Sequence, residues 1–370
     1  MPSLADEKPA LRRLSSIDGG LMLSVVLLSA IGLATVHSAS SEMAVDYLPR
    51  QALWLVIGVV LMIAAMSIDY QLLLDFSIVL YAAGLVLLVL VLVAGVAHGG
   101  AAHWFRIGPW QFQPSEFAKL ATILFTARYL SGLNRRVLEL PHILVAVAIV
   151  AVPMALVLVE PDLGGSMMYA PIMIGMLLVA GVRLRVLVLA AVIGAIALAG
   201  MWSFGMRAYQ RQRVLTFLSP DSDPLGAGYQ VRQSKIAVGS GEMTGKGYMQ
   251  GTQSQLRFLP VRHTDFILSV LAEEWGFVGV LTVLGLYALY TASAARIAMR
   301  ARDRAGIFLV TGILSVLCFH VLYNSSMVAG FVPITGIPLP FLSYGGSFTM
   351  VNFTGTGLML GVDLRRYVNR

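Results

Sequence analysis

Charge is scarce in this sequence. Aspartate, glutamate, lysine and arginine make up 12% of its 370 residues, against roughly a quarter in an ordinary soluble domain. With 58% hydrophobic residues and a mean hydropathy of +0.80, the chain has too little polar surface for a water-soluble protein. Cysteine is nearly missing. Cys318 lies alone in an apolar run, which excludes a disulfide framework and a cysteine-based metal site. Histidine at ligand spacing is lacking too, so His263 is a weak candidate for a metal. A complete nucleotide motif is also absent. In GSGEMTGKG, Ser240 stands where a phosphate loop needs its first glycine, and Gly247 where Ser or Thr would bind magnesium. No nucleotide is expected, and energy must come from an activated substrate or a gradient. Neither internal repeats nor low-complexity tracts are evident.

What the chain has is long apolar runs. Spans of about 17 to 25 residues fall near 18–37, 51–68, 76–97, 116–133, 142–159, 165–182, 186–203, 265–292, 306–330 and 343–362. The expected fold is an all-α polytopic membrane protein of ten transmembrane helices, a single integral membrane domain over 1–370. An even number puts both tails on one side. The tails and the even-numbered short loops hold most of the Lys and Arg, among them Arg12, Arg13, Arg128, Arg183, Arg296 and Arg365, whereas the opposite short loops hold Arg50 and Arg106. The positive-inside bias therefore predicts cytoplasmic termini. The net charge of +7 reflects this bias and not a nucleic-acid surface. The first apolar run is too long for the usual signal-peptide core and is read as a retained helix.

Parity places the long segment 204–264, between the seventh and eighth spans, outside. Its basic residues outnumber its acids, which favours an anionic ligand such as a lipid-linked phosphate. It is read as a loop whose start, 204–218, skims the membrane as an interfacial helix.

Span direction also brings the unusual polar residues together. Glu116 and Lys119 start the fourth span, Glu160 and Asp162 end the fifth, Asp265 starts the eighth and Ser343 to Ser347 start the tenth. All of these share the outer leaflet. Ionisable groups at membrane depth cost about 2.5 to 3.5 kcal/mol each at a helix centre, so they mark function by default. Glu116 and Lys119, three apart, can pair on one helix face. Asp162 follows Pro161 and precedes Gly164 and Gly165, which suits a turn or helix cap and also a close-packed site wall. On a helix begun at Asp265, a step of 100° puts Glu273 about 80° away, able to line the bottom of the cavity, and Glu274 about 180° away, facing a neighbouring helix. The proline- and glycine-broken stretch 330–346 is expected to rim the same pocket. A divalent cation held by Asp265, another carboxylate and a pyrophosphate is chemically suitable.

The sequence resembles the shape, elongation, division and sporulation (SEDS) family. The likeness runs over nearly the whole chain. It is carried by QPSEFAK at 113–119, PDLGGS at 161–166, YQRQR at 209–213, DSDPLGAGYQVRQSKIAVGSG at 221–241, GTQSQLRFLPVRHTDFILSVLAEEWG at 251–276 and GIPLPFLSYGGS at 336–347. Two positions depart from the family pattern, His103 where Arg is usual and Glu242 where Gly is common.

The resemblance, strongest to the elongation branch, implies a peptidoglycan glycosyltransferase. It would polymerise lipid II into glycan strands at the outer face of the cytoplasmic (inner) membrane and release undecaprenyl pyrophosphate. It implies Asp265 as the essential carboxylate and Glu116, Lys119 and Asp162 as cavity positions; Arg211, Lys246, Glu273, Ser343 and Tyr344 complete the candidate substrate-binding set. It further implies a class B penicillin-binding protein as transpeptidase partner, the elongation proteins MreC and MreD alongside, and Mg or Mn as the cation if one is used, with metal ligands unknown. The rival reading is a lipid flippase or proton-coupled transporter using Asp265, Glu273 and Glu274 as a relay.

Overall fold

The computed structural model describes residues 18–366 apart from 42, 44, 99–100, 109, 134–137, 184, 187, 190–191, 193, 195–199, 201–207, 220–222, 224–225 and 257. The expected seventh span, 186–203, falls largely outside the described residues. Helices dominate: α1 (Gly19–Ser40), α2 (Leu48–Ser67), α3 (Tyr70–Asp75), α4 (Ser77–Ala94), α5 (Pro114–Gly132), α6 (Leu140–Val159), α7 (Leu163–Met167), α8 (Tyr169–Val179), α9 (Ala208–Leu218), α10 (Ala227–Ser240), α11 (Thr252–Gln255), α12 (Ile267–Arg300), α13 (Arg304–Ala329) and α14 (Gly346–Arg365). Six of them, α1, α2, α4, α6, α12 and α13, are long and apolar enough to cross a membrane.

The all-helical expectation needs one correction. Between α4 and α5 the chain makes a three-stranded antiparallel sheet, β1 (Val96–His98), β2 (Ala101–Ile107) and β3 (Trp110–Phe112). The aromatic and β-branched runs HWFRI and WQF suit a pleated surface, and Gly108 at φ 61 turns the chain between them.

The segment 204–264 is more than a loop with one skimming helix. Its α10 is built into the bundle: Ala237 and Val231 are buried, and Ser234 Oγ hydrogen-bonds both Ser269 Oγ of α12 (2.9 Å) and the Val328 carbonyl of α13 (2.9 Å). The glycine-rich stretch after it is inserted into a break in α12. Gly276 has φ 66 and ψ −162, which leaves backbone groups on either side without helical partners. Lys246 N and Gly247 N donate to the Glu273 and Glu274 carbonyls (both 3.0 Å), and Phe277 N and Val278 N donate to the Glu242 and Met243 carbonyls (2.9 and 3.1 Å). A Cβ on Gly276 would stand 2.4 Å from Gly245 N, so no larger residue fits the junction.

At one end of the bundle the start of α1 meets the end of α14. Asp18 caps α1, accepting from Leu21 N (3.1 Å), pairs with Arg296 (3.3 Å) and donates its own N–H to Asp363 (3.1 Å), which also pairs with Arg366 (2.8 Å). Asp303 caps α13 and accepts from Tyr70 Oη and Gln71 Nε2 (both 2.7 Å). Arg304 and Arg365 donate to the ends of other helices, at Leu133 O (2.6 Å) and Ser67 O (2.8 Å). α14 lies against α2 so closely that a Cβ on Gly357 would come within 2.3 Å of Met62 O, the close backbone approach that small residues permit between membrane helices.

Candidate active site

The opposite end is hollow. A cavity of about 340 Å³ is walled by the start of α5, the α6–α7 junction, α9, the turn before α12 and the broken segment between α13 and α14. That volume is at the small end of ligand pockets. Of the candidate site residues, Glu116, Lys119, Asp162, Asp265 and Tyr344 line it, as does His103, one of the two positions that depart from the family pattern.

Pro114 at the first turn starts α5, where a missing N–H is harmless. This sets Glu116 and Lys119 one turn apart, buried and paired at 2.8 Å. Asp162 caps α7 through Gly165 N (2.7 Å) and accepts from Gln113 Nε2 (3.1 Å), so it is both the helix cap and a wall residue. Gly164 lets that wall close: a Cβ there would stand 2.5 Å from Thr335 O. Glu160 is fully buried at the end of α6 and does not line the cavity.

Asp265 does not begin a helix. It lies in the turn ahead of α12, whose N-cap is Phe266, so a helical wheel drawn from it does not hold. The turn is fixed by side chains from elsewhere. Asn324 Nδ2 of α13 donates to Asp265 O (2.8 Å) and Ile337 O (2.7 Å). Ser343 Oγ donates to Thr264 O (2.7 Å) and accepts from Leu339 N (2.8 Å). Tyr344 N donates to His263 O (3.0 Å), and the Tyr47 and His263 rings stack at 4.5 Å. Ser343 thus braces the rim from behind, while Tyr344 faces the cavity. Burial pushes the Asp265 carboxyl up to about 6, with the Thr264 hydroxyl and the Arg213 charge pulling against it. A carboxylate so placed is ionised at neutral pH yet basic enough to take a proton.

The remaining sequence candidates sit elsewhere. Arg213, not Arg211, lines the cavity; on α9 the two are about 200° apart around the helix axis. Lys246 and Glu273 pair with each other at 2.7 Å, and Glu273 also accepts from Thr252 Oγ1, Gln253 N and Ser254 N. This closes the loop over the break in α12, away from the cavity lining. Glu274 accepts from Ser38 of α1, a neighbouring helix. Among the lining residues absent from the sequence candidates are Arg213, His320 and Trp104. His320 had a signal, an imidazole inside an apolar span four residues before Asn324 and so on the same face. Among the described residues no group of three or more His, Cys, Asp or Glu could hold a metal ion.

The profile described as cell cycle protein, covering FtsW, RodA and SpoVE, matches residues 20–367. The chain belongs to this SEDS family. It is 40% identical over 352 residues to the peptidoglycan glycosyltransferase MrdB of Escherichia coli K12, covering 95% of this chain and 94% of that one. Among solved structures it resembles a chain of a peptidoglycan synthase complex, described as structurally coordinating polymerization and crosslinking, with a TM-score of 0.81, 32% identity and coverage of 95% and 99%. It also resembles the rod shape determining protein RodA of Thermus thermophilus, with a TM-score of 0.71, 31% identity and coverage of 95% and 98%. As a SEDS protein the chain is a multi-pass membrane protein.

Proposed function

We infer that this SEDS protein is a peptidoglycan glycosyltransferase that polymerises lipid II at the outer face of the cytoplasmic membrane, for cell elongation. The observation that carries the mechanism is Asp265, a carboxylate with a raised affinity for protons, in the same cavity wall system as Arg213 and the Glu116–Lys119 pair. The growing glycan presents an anomeric carbon activated by undecaprenyl pyrophosphate. Asp265 takes the proton from the 4-hydroxyl of the incoming N-acetylglucosamine as that oxygen attacks from the opposite face, a general-base effect worth about 10² to 10⁴ in rate. Arg213 offsets the charge that develops on the departing pyrophosphate. Single displacement inverts the anomeric centre and gives a β-1,4 bond without a covalent enzyme intermediate. A divalent cation, Mg or Mn, would be held chiefly by the substrate's own phosphates.

In this reading the chain crosses the membrane ten times, the run at 186–203 being the seventh helix. The ion-paired end with both termini faces the cytoplasm and the cavity faces outward. A class B penicillin-binding protein cross-links the strands, with MreC and MreD in the same elongation assembly; the likeness to a chain of a polymerization and crosslinking complex supports the first of these. Purified protein given labelled lipid II, without ATP or an ion gradient, tests the assignment. Glycan strands are the expected product, and their absence with a class B partner present would overturn it.

A further inference from the structure

His320 is 2% exposed within α13. Its Nδ1 lies 2.9 Å from the Pro338 carbonyl oxygen. A carbonyl only accepts, so Nδ1 carries the proton, and Nε2 of the neutral ring is a bare lone pair. That atom is buried and has no hydrogen-bond partner. A buried acceptor left unsatisfied calls for an explanation, because it forfeits water without regaining a bond. The ring stands at a junction. Together with Glu116, Lys119 and Phe348 it lines both the main cavity and a smaller hollow of about 40 Å³ behind it, between α5, α13 and α14. The Lys119 ammonium has three N–H groups, and its hydrogen bond is to Glu116 Oε1 at 2.8 Å.

A lone pair and an ammonium sharing one wall select what can bind there. A hydroxyl satisfies both, its oxygen accepting from Lys119 and its O–H donating to Nε2. A pyrophosphate oxygen has no hydrogen to give to Nε2. Building on the glycosyltransferase reading, we propose that His320 Nε2 and Lys119 Nζ form a subsite for a sugar hydroxyl of the lipid-linked substrate, leaving the pyrophosphate to Arg213 across the cavity. His320 is then a substrate-positioning residue that discriminates the glycan end of the ligand from its phosphate end.

The test uses the full-length protein and two ligands that differ in the sugar, lipid II as substrate and undecaprenyl pyrophosphate as product inhibitor. His320→Asn keeps a donor for the Pro338 carbonyl and removes the Nε2 acceptor. The KM for lipid II should rise at least about tenfold, the effect of stranding a polar group in a site built to bond it, while the inhibition constant of undecaprenyl pyrophosphate moves less than about twofold. His320→Gln places an amide oxygen near the Nε2 position and should return the KM to within about threefold of wild type. An unchanged KM in the Asn variant, or an equal rise in both constants, overturns the proposal, since a purely structural role would move both together. Should the Asn variant fail to fold, the Gln variant decides alone: near wild-type KM supports the subsite, and a selective loss of lipid II overturns it. A wild-type protein that makes no glycan strands refutes the enzyme reading instead, before either variant is compared.

Discussion

The two ends of this bundle use the same kinds of charged residue for opposite purposes. At the end where α1 starts and α14 finishes, Asp18, Asp303 and Asp363 cap helices or meet Arg296 and Arg366, and Arg304 and Arg365 finish on helix-end carbonyls. Each charge there closes a structural contact. At the other end, Asp265, Arg213, Lys119 and Asp162 border a hollow, and the Asp265 backbone carbonyl accepts from Asn324, which fixes the turn from behind. The charges at the first end complete the fold; those at the second also border a space, even where, as with Lys119 paired to Glu116 or Asp162 capping α7, they hold a structural contact.

The sharpest way to break this contrast is to change one residue at the hollow end. Asp265→Asn keeps the shape and removes the base, so polymerisation of labelled lipid II by purified protein should fall at least about 10², with expression and thermal unfolding close to wild type. Retained turnover would remove Asp265 from the chemistry. Next in size is Glu273→Gln, a fold residue near the cavity end. Its carboxylate accepts four bonds from Lys246, Thr252, Gln253 and Ser254, and an amide would turn an N–H toward donors. A loss of stability of about 3 kcal/mol is expected, the low end for a broken buried pair, seen as earlier thermal unfolding with the catalytic rate of the folded fraction largely kept. Smallest is Arg296→Met at the terminal end. The Arg296 side chain is 39% exposed and Asp18 keeps its bond from Leu21 N, so the change should cost under about 1 kcal/mol and leave polymerisation unaltered; a large activity loss would mean that the two ends are not separate in function. The orientation of the contrast can be checked with single cysteines. Gln250→Cys should react with a membrane-impermeant reagent from outside, and Ala301→Cys only after the membrane is opened.

Much of the hollow end was legible in the sequence, because its logic is one of direction. Counting spans is enough to bring Glu116, Asp162 and Asp265 to one leaflet, and the glycines after Asp162 announce a close-packed wall. What could not be read depends on partners remote in sequence. The phase of α9 chooses Arg213 over Arg211, and no periodicity in a short mixed helix reveals which side faces a cavity. Glu273 was drawn toward the pocket by a wheel that assumes an unbroken helix from Asp265, whereas the helix starts after that residue and breaks at Gly276. The sheet at 96–112 was hidden inside a stretch short enough to pass for a loop, although Gly108 between two aromatic runs is a hairpin signal. Lys246 reads as a free external cation until its partner across the break in α12 is known.

The central claim is that Asp265 acts as a base tuned by burial and by Arg213. The pH dependence of kcat/KM for lipid II polymerisation reports the free enzyme's essential groups and tests the claim most directly. Because burial raises the Asp265 carboxyl to about 6, activity should hold at neutral pH and fall about tenfold per unit below that value. In Arg213→Gln the acid limb should move to higher pH, since the cation that favours the ionised form is gone. A profile flat down to about pH 4.5, or a limb that moves to lower pH in the Arg213 variant, would contradict the account.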